Sequence, residues 1–258
     1  MNTTTTLLEK IENARDLDFG TIFGESIELF KKTWLQGFIL VLLTMAIMIP
    51  LFFMLYLPLI GLIIAQSEGA GPEVFDTFFG SMSILYILFL VACFLVFGAI
   101  SVAMNAGFYR MMRKLDNNEA TTTTDLFYFV KNKYLGKAFM LMLASILIAV
   151  PSAFLCYVPL IYMIVPLSFF NVIFAFNPDL SVGDMIKVSF KLGHKKWLLA
   201  FGLIIVSVLL SQMVGYLLCG VGLLFTYTFV YHPVYLIYKN VVGFNEASAI
   251  EQIGESVE

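Results

Sequence analysis

Three side chains could do chemistry in an otherwise apolar setting: Asn105, Asn171 and His232. Each lies toward the same end of a long hydrophobic stretch, where an amide or imidazole can hold a ligand by hydrogen bonds. Gln212, Thr226 and Thr228 are placed to join them. Gathered about a common axis, these groups would line a pocket for a lipid or a small apolar molecule. The plainer role is hydrogen bonding between neighbouring helices, typically worth ~0.6 kcal/mol and rarely above ~2. Patterns for harder chemistry are missing from the sequence: it contains no P-loop, no H-E-x-x-H and no G-x-S-x-G. The two histidines, His194 and His232, are too few for a histidine-held iron, and they sit in unrelated stretches. Cys93, Cys156 and Cys219 are odd in number and lack C-x-x-C spacing, which argues against a disulfide framework or a zinc site. No cofactor, metal or catalytic residue is expected.

The elements that position these residues follow from composition. Of the 258 residues, 60% are hydrophobic and 13% charged, against roughly 25% charged in ordinary globular domains. A chain of this kind must use lipid as its solvent. The net charge of −3 is too small to suggest nucleic acid as a partner. A membrane helix needs about 20 mostly apolar residues. Leu35 to Ala65 exceeds that and contains Pro50 and Pro58, so one helix kinked or broken near the prolines is expected. A second span runs from about Met82 to Tyr109, after a polar loop punctuated at Gly71-Pro72. Leu135–Phe176 and Trp197–Tyr238 are each too long for one span. They read as hairpins turning at Tyr157-Val158-Pro159 and at Cys219-Gly220-Val221-Gly222. The expected fold is all-α, a polytopic bundle of six transmembrane helices.

All 15 Lys and Arg residues fall on one side of these spans. Lys10, Arg15, Lys31 and Lys32 precede the first span, and six cations from Arg110 to Lys137 lie between the second and third. Lys187, Lys191, Lys195 and Lys196 precede the fifth, and Lys239 follows the sixth. The opposite loops carry none, and the first of them holds Glu68, Glu73 and Asp76. Basic loops stay in the cytoplasm, so a multi-pass protein of the inner membrane with both termini cytoplasmic is expected. No Asp, Glu, Lys or Arg lies well inside a span, which argues against proton-coupled transport.

The chain also repeats itself. Gly20–Leu35 aligns without a gap on Gly183–Leu198, matching Gly20/Gly183, Ser26/Ser189, Leu29/Leu192, Lys32/Lys195, Trp34/Trp197 and Leu35/Leu198. Asp125–Leu135 fits the second half, with Tyr134 under Trp34. In the first copy Phe19, Ile22, Phe23, Ile27, Phe30 and Trp34 share a helical stripe; in the third, Val182, Met185, Ile186 and Phe190 do. Each unit therefore reads as an interfacial amphipathic helix, an aromatic anchor (Trp34, Tyr134 or Trp197) and a membrane hairpin. The division expected is a polar tail over 1–16 and one membrane domain over 17–242. Its units are about 17–115, 121–178 and 179–242, and a polar tail follows over 243–258.

The third unit, from Phe176-Asn177-Pro178-Asp179-Leu180-Ser181 through Ser189-Phe190-Lys191-Leu192 to Trp197-Leu198, has a further resemblance. With the turn Leu218–Gly222, Pro233 and Tyr235, it resembles a broad family of bacterial six-helix membrane proteins. These are the YciC-like proteins and the membrane domain attached to some glycerophosphodiester phosphodiesterases. The resemblance implies a fold and no chemistry, since this sequence shows no phosphodiesterase domain. The expected function is that of a non-enzymatic scaffold or accessory subunit, in contact with membrane lipids and a possible membrane-protein partner. The alternative is a binder or carrier of a lipid or small apolar molecule.

Overall fold

The computed structural model describes residues 3–69, 71, 73, 76, 84–155 and 157–244. Met82, Pro72, Cys156 and most of the C-terminal tail lie outside them. Among the described residues every regular element is helical, and five helices are long and apolar enough to cross a membrane.

The N-terminal residues, polar in composition, form a helix, α1 (Thr4–Glu12), begun by Thr3, whose hydroxyl accepts from the Thr6 N–H at 3.3 Å. Its two fully buried side chains, Leu7 and Ile11, dock it on the body of the protein.

α2 (Phe19–Ser67) starts where the Asp18 carboxylate accepts from the Thr21 N–H at 2.8 Å, and then runs for 49 residues. The interfacial helix expected to carry the stripe from Phe19 to Trp34 is therefore not a separate element. Its amphipathic stretch passes into the apolar run without a breaker, so the same helix continues. Nor do Pro50 and Pro58 end it. Each removes one backbone hydrogen bond, and the remaining bonds carry the helix on. The buried positions of the first half are Ile22, Ser26, Leu29, Thr33, Gly37 and Leu40, at steps of three and four. Phe19 and Trp34, assigned to the apolar stripe from the sequence, are exposed.

α3 (Ile84–Asp116) returns antiparallel to α2. The middle unit begins with a 3-10 helix, Thr123–Val130, not an amphipathic α-helix. Gly107 of α3 lets the backbone of Leu126 approach so closely that a Cβ there would collide with the Leu126 carbonyl. α4 (Asn132–Phe154) and α5 (Val158–Phe176) then form a hairpin, whose turn holds Tyr157 at φ 62°. α6 (Val182–Lys195) is capped by Ser181, which accepts from the Asp184 N–H at 3.1 Å. It runs back along α5, and Gly193 brings it so near that an added Cβ would stand 2.8 Å from Pro166 Cα. α7 (Trp197–Leu217) follows after a break at Lys196.

The last segment is helical from Leu223 to Val241, but not uniformly. α8 (Leu223–Thr226) and α9 (Tyr231–Val241) flank a 3-10 turn, Tyr227–Val230. Pro233 has no N–H for the carbonyl four residues earlier, that of Phe229. The His232 ring supplies a donor instead, with Nδ1 3.2 Å from Phe229 O and 3.1 Å from Thr228 O. This interruption keeps the expected sixth span from being one long helix.

The core lies where the amphipathic halves of the units meet. Phe108, Tyr109, Phe129, Phe169, Phe174, Tyr235 and Tyr238 are buried there, together with the inner faces of α1 and α6.

Candidate functional site: a neutral cavity between α2, α3, α7 and the last segment

Where α2, α3 and α7 diverge around the 3-10 turn they leave a cavity of ≈ 460 Å³. Its apolar wall is Leu40, Val41, Met45, Leu223 and Leu224. Its polar groups come from Thr44 on α2, Ser101 and Asn105 on α3, Gln212 on α7, and Tyr227, Thr228 and Tyr231 on the last segment. Thr44 is already committed, since its hydroxyl donates to Leu40 O at 2.8 Å. Thr228 is not: its Oγ1 is buried and has no hydrogen-bond partner among the described residues. Thr228 also packs directly on the bare backbone of Gly37, where any Cβ would strike its hydroxyl. Among the described residues no carboxylate, amine, imidazole or thiol lines the space. Such a lining can orient a neutral molecule by hydrogen bonds, and it holds no strong base or nucleophile.

Of the three residues singled out from the sequence, only Asn105 borders this cavity. His232 lies just behind the wall, fully buried. Because Nδ1 faces two carbonyls it carries the ring proton, and Nε2 accepts from the Thr33 hydroxyl at 2.6 Å. The ring stacks on Phe229 and meets Phe30 and Phe108 edge-on, so its work is to join α2 to the last segment. Asn171 is half-buried on α5 and is not among the lining residues. The expected grouping of all three about one axis does not form.

Among the secondary candidates, Gln212 and Thr228 line the cavity, whereas Thr226 is spent on structure. Its hydroxyl bonds to Ser211 O at 3.1 Å and Gly222 O at 3.0 Å, while Ser211 Oγ returns a bond to Thr226 O at 2.8 Å. Thr44, Ser101, Tyr227 and Tyr231 were missed. Spacing offered a signal for three of them: Ser101 lies four residues before Asn105, and Tyr231 four after Tyr227, so each pair shares a helix face.

The three expected anchors occupy different settings. Trp34 is exposed and leans on Phe225, with ring centroids 6.2 Å apart. Tyr134 is half-buried between Tyr128 and Phe129. Trp197 stacks between Tyr162 and Phe201, and its indole N–H donates to Tyr162 O at 3.0 Å. Nor are the two tryptophans level. Lys196, next to Trp197, donates to Arg15 O at 2.6 Å, beside the start of α2, whereas Trp34 lies about 22 Å farther along that helix.

The basic clusters also divide. Lys137 turns inward to Pro178 O and Leu180 O at 2.5 and 2.9 Å, and Lys196 is 5% exposed. Lys131, Lys133, Lys187 and Lys195 remain in solvent.

No protein-family model matches the chain, and neither a curated protein nor a solved structure is detectably similar to it.

Proposed function

We propose that this is a non-enzymatic membrane protein that holds a neutral, mostly apolar molecule or lipid chain in the cavity between α2, α3, α7 and the last segment. The observation that carries this is the cavity itself: ≈ 460 Å³, apolar on one side, with Ser101, Asn105 and Gln212 among the polar groups on the other. Small-molecule sites usually have this volume and this mixture. The occupant offers a hydroxyl, carbonyl or amide to those groups and carries no net charge, because none of the described residues in the wall would neutralise one.

The test is native mass spectrometry and lipid extraction of protein purified in mild detergent. One equivalent of a neutral amphiphile is expected. Gln212→Leu removes one neutral hydrogen bond, worth about 1 kcal/mol, and should lower retention about fivefold. Ser101→Phe, which fills the space, should abolish retention at unchanged melting temperature. An empty wild-type protein with no affinity for neutral lipids would end the idea.

The scaffold or accessory-subunit role has one feature in its favour, the exposed apolar face of α7 at Leu209, Met213, Tyr216 and Leu217. A stoichiometric protein partner in the same purification would favour it.

For topology we infer an inner-membrane protein with both termini cytoplasmic. The cation asymmetry supports this, and so does a contact between the chain ends: Lys10 Nζ donates to Val242 O at 3.0 Å. Ends held together on one face require an even number of crossings. The five unbroken apolar helices then need the interrupted segment Leu223–Val241 as a further crossing. Six crossings satisfy that parity, and so do four if one hairpin enters and leaves on the same side. The sequence match of α2 with α6–α7, and the YciC-like resemblance, favour a common ancestry for the units.

A further inference from the structure

We propose that the groove between α3 and the start of α4 binds one anionic phospholipid of the surrounding bilayer, with its phosphate at Lys131 and Lys133 and an acyl chain against Val96 and Phe139. This goes beyond the neutral cavity, which lies on the opposite face of α3: Ser101 and Asn105 stand about half a turn from Val96 and Ala99. The groove follows from spacing. Asn132, Leu135, Gly136 and Phe139 share one face of α4, and they meet Val96 and Ala99 of α3 around ≈ 340 Å³. The middle of that face is bare, since Gly136 is exposed and an added Cβ would meet nothing within 4 Å. Leu135 and Phe139 are half-buried and Val96 is 53% exposed, so protein leaves these apolar walls partly uncovered.

The groove stands at the edge of the lipid-facing surface. Tyr86 OH donates to Met54 O, which sets the antiparallel register of α2 and α3. Ten residues along each helix from that tie, Val96 is level with Thr44. Thr44 lies about 32 Å of helix before Ala65, where the uncharged apolar run of α2 ends, and the hydrocarbon core is about 30 Å thick. Counted from Ala65, the groove is therefore at the level of the near headgroups, where lipid phosphates lie.

Charge identifies the occupant. Lys131 and Lys133 flank Asn132 in the chain, and both are exposed. Their ammonium groups lie 5.3 Å from the centre of the Tyr128 ring and 5.2 Å from that of Tyr134, and the two rings stack at 5.7 Å. Arg110 covers Tyr128 as well, with Cζ 3.5 Å from the ring centre. Among the described residues no carboxylate forms an ion pair with any of these three cations. Asp125, on the neighbouring 3-10 helix, is held by Lys114 at 2.9 Å. Three cations gathered on two stacked rings need a counter-charge from outside the protein. An anionic headgroup supplies it, and the chain below that headgroup covers the apolar walls. A zwitterionic headgroup brings its own cation, and free phosphate brings no chain.

The experiment titrates full-length protein in mild detergent with phosphatidylglycerol or phosphatidylcholine of the same acyl chains, read by native mass spectrometry. One equivalent of phosphatidylglycerol should bind most tightly. Lys131→Gln and Lys133→Gln should each weaken it about fivefold, the usual worth of one lysine beside an anionic surface. Lys187→Gln with Lys195→Gln, an exposed pair on α6, should leave it unchanged. Gly136→Leu, which fills the groove, should abolish it at unchanged melting temperature. Phosphatidylcholine held in the neutral cavity should respond to none of these changes, so the two sites are read separately. Inorganic phosphate in large excess should not displace the lipid. Phosphatidylglycerol binding that survives Gly136→Leu or the loss of both lysines overturns the proposal. So does an equal loss in the α6 control, an equal response of phosphatidylcholine, or displacement by phosphate.

Discussion

The molecule has two regions built on opposite rules. Its base, where α1, the first half of α2, the end of α3, α5, α6 and α9 meet, is packed on all sides and tied by polar groups. Lys10 reaches Val242 O, Lys196 reaches Arg15 O, Lys137 reaches two carbonyls, and Asp116 receives Lys239 and Tyr235. Its arm, residues 45–67 of α2 with 84–96 of α3, has mostly exposed apolar side chains and is tied across by Tyr86 OH, which donates to Met54 O at 2.5 Å. In the base, side chains find their partners in protein, so shape and hydrogen bonding decide. In the arm lipid is the partner, so only length and hydrophobicity matter. The same residue type therefore carries different energies in the two places.

The largest test of that difference is a matched pair of truncations. Phe174 is fully buried, with its ring 4.9 Å from that of Phe129. Phe174→Ala should cost about 3–5 kcal/mol. Phe53 in the arm is 53% exposed, and Phe53→Ala should cost less than about 0.5 kcal/mol, the range of substitutions away from packed sites. Reversible unfolding in mixed micelles measures both. Equal losses would show that the arm is packed against something in its working state, and the comparison would fail.

The same contrast explains what could be read from the residues alone. The arm was legible, because 20 or more apolar residues with no charge have one meaning in water. Both hairpin turns were legible as well: Tyr157 before Pro159 and Cys219-Gly220 adopt the positive φ values that a tight reversal needs. The base was not. Nothing in Leu35–Ile49 signals whether the amphipathic stretch before it bends into the interface or runs straight on. Likewise α5 has the composition of a span and the surroundings of a core helix, and only the contacts with α6 separate the two. For the cavity, Asn105, Gln212 and Thr228 were visible as polar outliers. His232 was misplaced because its proline neighbour, which frees the Phe229 carbonyl, gives the ring a structural task.

A middle-sized effect is expected from Asp116, which accepts from Lys239 at 2.6 Å and from the Tyr235 hydroxyl at 3.0 Å, its side chain 20% exposed. Asp116→Ala leaves both donors without their acceptor at the edge of the core and should cost about 2 kcal/mol. Asp116→Asn keeps an acceptor for Tyr235 and should recover part of that. In the arm, Tyr86→Phe removes the bond to Met54 and should cost about 0.6 kcal/mol, the average for hydrogen bonds between membrane helices. If the arm substitution cost as much as the base one, polar ties would matter equally in both regions.

The smallest effect concerns acid. The arm segments 45–67 and 84–96 contain no Asp, Glu, His, Lys or Arg, so their insertion should not change with pH in the acid range. The base has such groups at its edges, and Asp18 is the simplest of them. The N–H of Thr21, then its hydroxyl, stabilise the Asp18 carboxylate and hold its pKa below the ordinary value of 3.8. A carboxyl lowered on folding contributes stability that is complete above its unfolded pKa and lost as pH falls through the folded one. Capping of α2 by Asp18 should therefore be intact at pH 5 and fade below about pH 4, near the unfolded value for aspartate. Asp18→Asn keeps an oxygen for Thr21 but nothing to titrate, so its unfolding midpoint should change less with pH in that window than the wild type's. Helicity and melting between pH 3 and 6, compared for the two proteins, measure it. An identical acid response would mean that Asp18 caps α2 no better than a neutral acceptor does.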